Sequence, residues 1–191
     1  MQPLLNFISE VDKLKQVKRK TLNYHEQVYE NSAEHSWHLS LAVLSFLENS
    51  NEQVDVLRCL KMAILHDVVE IDAGDQIVYT RDDGKFEREL LAAKRIFGLL
   101  PKELGDEFLE LWISFEKKEC PESRFVGSLD RFLPVFSNIK NNGYTWKENN
   151  ITREQIYQKN QPEISQGSMS LWEQTDMFLS DYFCDNKRAI K

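Results

Sequence analysis

The sequence predicts an all-α protein folded as a single helical bundle, on three observations. Apolar residues recur at three-and-four spacing in one segment after another, alternating apolar and polar runs of useful length do not appear, and β-branched clusters are scarce. A chain of 191 residues with 41% hydrophobic and 11% aromatic content can close one sizeable core, so one domain is expected over 1–191.

The elements follow in order. Leu4, Phe7, Ile8, Val11 and Leu14 draw an apolar stripe down a first helix. Ser32 is read as the N-cap of a second helix carrying Trp37, Leu41, Leu44 and Leu47 on its inner side, and Asp55 as the start of a third carrying Leu57, Leu60, Ile64 and Val68. Pro101 and Pro121 suit the first turns of two more, with Phe108 and Leu111 facing inward in one and Phe125, Leu129, Phe132 and Phe136 in the other. Gly74, Gly84, Gly98 and Gly143 mark loops. After Asn141-Asn142-Gly143 the chain turns polar through Gln161-Pro162, then recovers an amphipathic segment around Met169, Trp172, Phe178 and Phe183. Roughly 150–191 therefore reads as a C-terminal helical extension packing back on the core. There is neither internal repeat nor low-complexity tract, which excludes a solenoid.

Charge and cysteine usage exclude whole classes. With 24 basic and 31 acidic residues the net charge is −7, against a protein that grips nucleic-acid backbone or an anionic membrane surface. Cys59, Cys120 and Cys184 lie far apart with no CxxC pair, so neither a disulfide framework nor a thiolate zinc site is suggested and a reducing cytoplasm is expected. The N-terminus lacks the apolar core of a signal peptide, Glu10 and Asp12 oppose a transit peptide, and no segment approaches the roughly 20 apolar residues of a membrane span.

Two stretches carry chemistry. In ILHDVVE, His66 and Asp67 sit late in a strongly apolar helix with Glu70 one turn on, and imidazole with carboxylate is a donor set that divalent ions accept. In AEHSWHLS, His35 lies on the preceding helix, where antiparallel packing would set it opposite that pair. Asp130, bracketed by Leu129, Phe132 and Leu133, is an acid whose burial would be expensive without a partner, and a metal would account for it. Taken singly, these residues have bland readings: a capped-helix histidine for His35, an ion pair with Arg131 for Asp130, a solvated face for Glu34, a surface or supporting role for His38 and none for His25. Arg19, in KQVKRK, is by itself one charge among several.

Together they form a pattern. A lone His in AEHS, a His-Asp doublet in LHDVVE and a distant Asp in SLDRF resemble the HD-domain metal-dependent phosphohydrolases. The blocks LKQVKR, ENSAEHSWHLSLAVL, LKMAILHDVVEIDAGD, FVGSLDRFLPVFSN and NITREQIYQKNQPEISQGSMSLWE are similar to the branch that includes bacterial 5′-deoxyribonucleotidases. The resemblance implies an HD-type bundle and one divalent metal ion per chain, with Mn, Co, Fe, Mg and Zn all compatible, held by His35, His66, Asp67 and Asp130. It implies that Glu70 works on the attacking water, that Asp75 lies near the sugar and scissile bond, and that Arg19 receives the phosphate, with Lys20 beside it at the substrate. The residue after that arginine is often aromatic in the nucleotidases and is Lys20 here, and QIVYTRDDGKFERE lacks their proline-rich loop, so the rim of the pocket differs. Only four histidines are available, too few for the second His pair of dinuclear relatives.

The expected function is release of phosphate from (deoxy)nucleoside monophosphates, the partner being a phosphorylated small molecule and no nucleic-acid polymer or membrane. One alternative is a phosphodiesterase or pyrophosphohydrolase on other nucleotides, a task that asks for more cations than Arg19, Lys20 and Arg81 supply. Another is a non-catalytic binding protein with a metal pinning its helices. A homodimer is expected from the aromatic content and from the habit of this branch.

Overall fold

The computed structural model describes residues 1–24, 28–79 and 83–185, the last without its side chain. His25 and Arg81 lie outside the described residues. Helices dominate as expected: α1 (Gln2–Val11), α2 (Ser32–Ser45), α3 (Val56–Leu65), α4 (Glu70–Ala73), α5 (Lys85–Phe97), α6 (Lys102–Lys117), α7 (Pro121–Lys140), α8 (Tyr144–Glu148), α9 (Arg153–Gly167) and α10 (Met169–Asp185).

Local signals set most of the ends. The Asp55 side chain accepts the Arg58 amide at the start of α3, and Pro121 opens α7, where its missing N–H costs no helical bond. Gly74 closes α4 at φ +72°, a conformation that favours glycine. The cap of α2 is Asn31 rather than Ser32: its side chain accepts the amides of Ala33 and Glu34, and the Glu34 carboxylate accepts the Asn31 amide in return. Ser32, one residue further in, is buried.

The long helix α7 runs through the middle, buries Phe125, Leu129 and Phe132, and packs against α2, α3, α6, α9 and α10. Pro134 lies inside α7, so the Asp130 carbonyl loses the amide that would bond it four residues on. The polar stretch before Met169 is helical too: α9 spans it with Pro162 inside, starts from a capping box between Thr152 and Gln155, and lies along α7 with Ile156 and Ile164 buried. Polar composition hid it, because only one narrow side of α9 is apolar.

Two inward faces differ from the sequence reading. On α2, Trp37 is 66% exposed, Leu41 43% and Leu44 52%, while Ser32, His35, Ser36, Leu39, Ala42 and Val43 are buried. On α3, Leu57 and Ile64 are exposed and Cys59, Met62 and Ala63 take the core. Apolar residues occupy two sides of each helix, so periodicity alone had two stripes to choose from.

A small antiparallel ribbon also forms, β1 (Lys18–Leu22) with β2 (Tyr29–Asn31), paired Lys18 to Asn31 and Leu22 to Tyr29 with an irregularity between. Strands of five and three residues, the first opening on three charged residues, carry no alternation strong enough to read. No helix among the described residues is long and apolar enough to cross a membrane.

Candidate metal and phosphate site

The His-Asp doublet stands not on an α-helix but on a 3-10 turn, His66–Val69, between α3 and α4. Asp67 within the turn and Glu70 just after it both reach towards the Arg19 guanidinium, at 2.5 and 3.9 Å. Trp112 Nε1 donates to the His66 carbonyl at 3.1 Å, and the Phe115 ring meets the His66 ring edge-on at 5.2 Å, which fixes the turn from behind.

His35 comes from the first turn of α2 and Asp130 from the middle of α7. Ligand atoms of His35, His66 and Asp130 all lie within 4.8 Å of one another. His35 Nε2 is 2.8 Å and His66 Nε2 3.6 Å from the same oxygen, Asp130 Oδ1, and His66 Nε2 is 3.1 Å from Asp67 Oδ1. His66 Nδ1 lies 3.0 Å from the Ala63 carbonyl, which assigns a proton to that nitrogen and turns Nε2 to the carboxylates as the atom that takes either a second proton or an ion. That Nε2 is buried and makes no well-directed hydrogen bond, although two carboxylate oxygens face it. Electron-rich atoms converging in this way require a positive centre, and two imidazoles with carboxylate oxygens suit a divalent ion. The residues present therefore fit a metal.

Arg19 enters from β1. Strand alternation turns it inward between the exposed Lys18 and Lys20, and its Nε donates to Glu30 Oε1 at 3.1 Å across the ribbon. Its Nη1 donates to Asp67 Oδ2 at 2.5 Å and stands 3.9 Å from both Glu70 Oε1 and Asp75 Oδ1. Asp75 in turn accepts the Lys20 backbone amide at 3.1 Å, so Lys20 contributes its main chain here while its side chain lies at the rim. Glu70 accepts the Ser32 hydroxyl at 2.5 Å. Arg19 thus stands among Glu30, Asp67, Glu70 and Asp75, with Lys85 and Arg131 lining the same cavity.

The imbalance shapes the titration of each group. Burial, reinforced by Asp67 and Asp75 and opposed by Arg19, pushes the Glu70 carboxyl up to about 8. Asp75 is raised by the same burial. For His66, burial works downward, but Asp67 and Asp130 outweigh it and lift the imidazole to about 10. Asp67 and Asp130 are held well below the usual carboxylate range because histidine and, for Asp67, Arg19 outweigh the cost of their burial.

Two cavities open on this cluster. The first, about 150 Å³, is lined by Arg19, Asp67, Glu70 and Asp75 together with Ile77, Tyr79, Val135 and Trp146. There Asn160, from α9, donates to the Tyr79 hydroxyl at 3.1 Å. The second, about 200 Å³, reaches His66, Asp67, Glu70 and Asp130 from the other side between Glu89 and Lys118, whose ammonium lies 3.4 Å over the Phe115 ring.

Of the residues predicted for the site, His35, His66, Asp67, Glu70, Asp75, Arg19 and Asp130 come together, and Lys20 stands at the edge. His38 lies outside, half-buried with its ring edge-on to Tyr24 at 5.8 Å. Glu30 and Asn160 escaped the sequence reading, since nothing in their local sequence sets them apart from other polar residues, and Ser32 was read as a helix cap where it instead donates to Glu70.

A family model described as HD domain matches residues 11–172, and the chain belongs to the HD-domain family. Among curated proteins it is similar to the 5′-deoxynucleotidase HDDC2 of Bos taurus, 32% identical over 133 residues that make up 67% of this chain and 62% of that protein. The Homo sapiens protein of the same name is 31% identical over 133 residues, 67% of this chain and 63% of that one. The chain thus spans under two thirds of the length of these relatives. Among solved structures it resembles a predicted metal-dependent phosphohydrolase from Magnetospirillum magnetotacticum MS-1, with a TM-score of 0.92 and 36% identity over 96% of this chain and 93% of that one. The HD domain-containing protein YGK1 shares the fold at a TM-score of 0.59 and 18% identity, covering 96% of this chain and 85% of its own.

Proposed function

We propose that the protein is a metal-dependent phosphomonoesterase that releases phosphate from nucleoside monophosphates, deoxy forms among them. The observation that carries this reading is that Asp67 joins the two parts of the site: its Oδ2 accepts the Arg19 guanidinium and its Oδ1 lies 3.1 Å from His66 Nε2, beside the His35, His66 and Asp130 ligand atoms. The relatives named 5′-deoxynucleotidase support the choice of substrate. The phosphodiesterase or pyrophosphohydrolase reading is not favoured, because the relatives the chain resembles are named for nucleotidase activity.

His35, His66, Asp67 and Asp130 are the ligands we assign to one divalent ion per chain, of the group Mn, Co, Fe, Mg and Zn. When bound, that ion polarises water and neutralises phosphoryl charge. The remaining steps belong to the chain. Arg19 takes phosphoryl oxygens through its N–H fork and aligns phosphorus for attack. Glu70, buried and steadied by the Ser32 hydroxyl, accepts the proton of the attacking water in its ionised form, which the positive charge of a bound ion would favour against the burial that raises it. Asp75, tied to the Lys20 amide, stands where the leaving oxygen and sugar would lie, and the apolar wall of Ile77, Tyr79 and Trp146 takes the nucleoside. The alkoxide leaves with a proton returned from Glu70, and inorganic phosphate remains.

The test is a single isosteric change. Glu70→Gln is expected to leave metal content intact and to lower phosphate release by about 10²–10⁴-fold, the usual size of a general-base effect. A variant that keeps full activity removes Glu70 from the mechanism, and metal-loaded protein inert on every nucleotide of a mono-, di-, triphosphate and cyclic panel would favour the non-catalytic reading.

We further propose that residues 1–191 act as one domain with roughly 150–191 as its extension, and that the protein works in the cytoplasm as a homodimer. The packing of α9 along α7 supports the first. The apolar outer side of α2, with Trp37, Leu41 and Leu44 in the open, supports self-association, because monomers rarely leave large contiguous apolar patches bare.

A further inference from the structure

Glu30 belongs to no part of the mechanism above, yet it is buried at the centre of the charged cluster, 7% exposed. It sits on β2, one residue before the cap of α2 and five before His35. A single oxygen, Oε1, faces two groups: Arg19 Nε at 3.1 Å and His35 Nδ1 at 3.5 Å. The second distance is an ion-pair distance, longer than a well-formed hydrogen bond, and His35 Nδ1 is buried with no hydrogen-bond partner. Buried carboxylates are expensive unless paired, and the ribbon that carries Glu30 is small.

We propose that Glu30 is a positioning residue that couples the two halves of the site, so that binding of the metal at the His35 side and binding of phosphate at Arg19 strengthen each other. The inference rests on the function proposed above and adds a residue and a linkage to it. A carboxylate behind a ligating imidazole fixes the ring and makes its far nitrogen a better donor. The same oxygen, bonded to Nε, holds the guanidinium plane from behind, with Nη1 on Asp67 at the phosphate side. One carboxylate oxygen therefore serves both ligands, and whichever binds first fixes Glu30 for the second. Linkage makes the effect reciprocal: the factor by which phosphate tightens metal is the factor by which metal tightens phosphate.

Calorimetric titration of the full chain with Mn²⁺, alone and in saturating inorganic phosphate, reads this directly. In the unchanged protein phosphate is expected to tighten Mn²⁺ binding. Glu30→Gln, which keeps shape and removes charge, is expected to weaken Mn²⁺ binding about 10–100-fold and to reduce the phosphate-dependent tightening to what direct attraction between ion and phosphate and the Arg19–Asp67 contact supply, with the melting of the metal-free protein showing that the fold persists. Should that variant fail to fold, Glu30→Asp, which withdraws the carboxylate by one methylene, is expected to show the same two losses in part. The proposal is overturned if the variant keeps both the affinity and the tightening, and equally if it loses affinity while phosphate still tightens Mn²⁺ as before. Unchanged protein that takes up no Mn²⁺ at all overturns the proposed function itself. Unchanged protein that binds Mn²⁺ and releases phosphate, beside an indifferent Glu30→Gln, overturns the coupling alone.

Discussion

The two sides of α2 invert the usual expectation. Its inner side buries Ser32, His35 and Ser36 beside Leu39, and its outer side leaves Trp37, Leu41 and Leu44 to solvent. Both sides contain apolar residues, but only the inner one faces groups that need it: His35 meets Asp130 on α7, and Ser32 meets Glu70 at the start of α4. The rule that apolar residues go inside runs one way only; an exposed leucine is ordinary, whereas a buried polar group signals partners. The histidine locates the interior of this helix better than the tryptophan does.

The largest effect that could sharpen the contrast lies at the partner of His35. Asp130→Asn keeps the shape but removes the charge that both imidazoles face, and it is expected to lower phosphate release by about 10³-fold or more, comparable to the loss of a principal electrostatic group. Metal analysis of the same variant should show depleted ion. Activity near that of the unchanged protein would mean that the inner side of α2 is polar for structural reasons only.

Next in size is a pair of like substitutions on opposite sides of the helix. Leu39→Ala empties a fully buried position and should cost about 3 kcal/mol, whereas Leu44→Ala, at an exposed one, should stay within about 0.5 kcal/mol. Denaturant unfolding of the two proteins, at a concentration where both are monomeric, measures the difference. Equal costs would erase the distinction between the two sides.

A smaller effect asks whether burying an acid is itself a burden that the fold tolerates. Glu89 on α5 is buried, and that burial, opposed by Lys85 and aided by Glu116, pushes its carboxyl up to about 7 from an ordinary 4.5. Between these values the folded protein holds a proton that the unfolded chain has released, so stability falls as pH rises through the window, and the full cost is present above about 7. Glu89→Gln should therefore be more stable than the unchanged protein at pH 8 by an amount on the order of 2 kcal/mol, with the gain fading towards pH 4. Thermal unfolding across pH checks the sign, and a gain that grew on acidification would refute it.

Much of this protein was legible before any coordinates. The helical periods, the Asp55 and Pro121 starts and the Gly74 and Gly143 breaks depend on neighbours within a turn, and a sequence displays those directly. The spacing of His35, the His66-Asp67 doublet and Asp130 was equally visible, because unusual residue types at sheltered positions stand out in an apolar setting. The tertiary structure alone decided which stripe of α2 and α3 turned inward, that the polar α9 is a core-facing helix, that the doublet rides a 3-10 turn, and that Arg19 crosses a short ribbon to reach Glu30. Each of those outcomes depends on what stands opposite a residue, across a gap of many positions in the chain, and charge pairing and desolvation act through space rather than along the backbone.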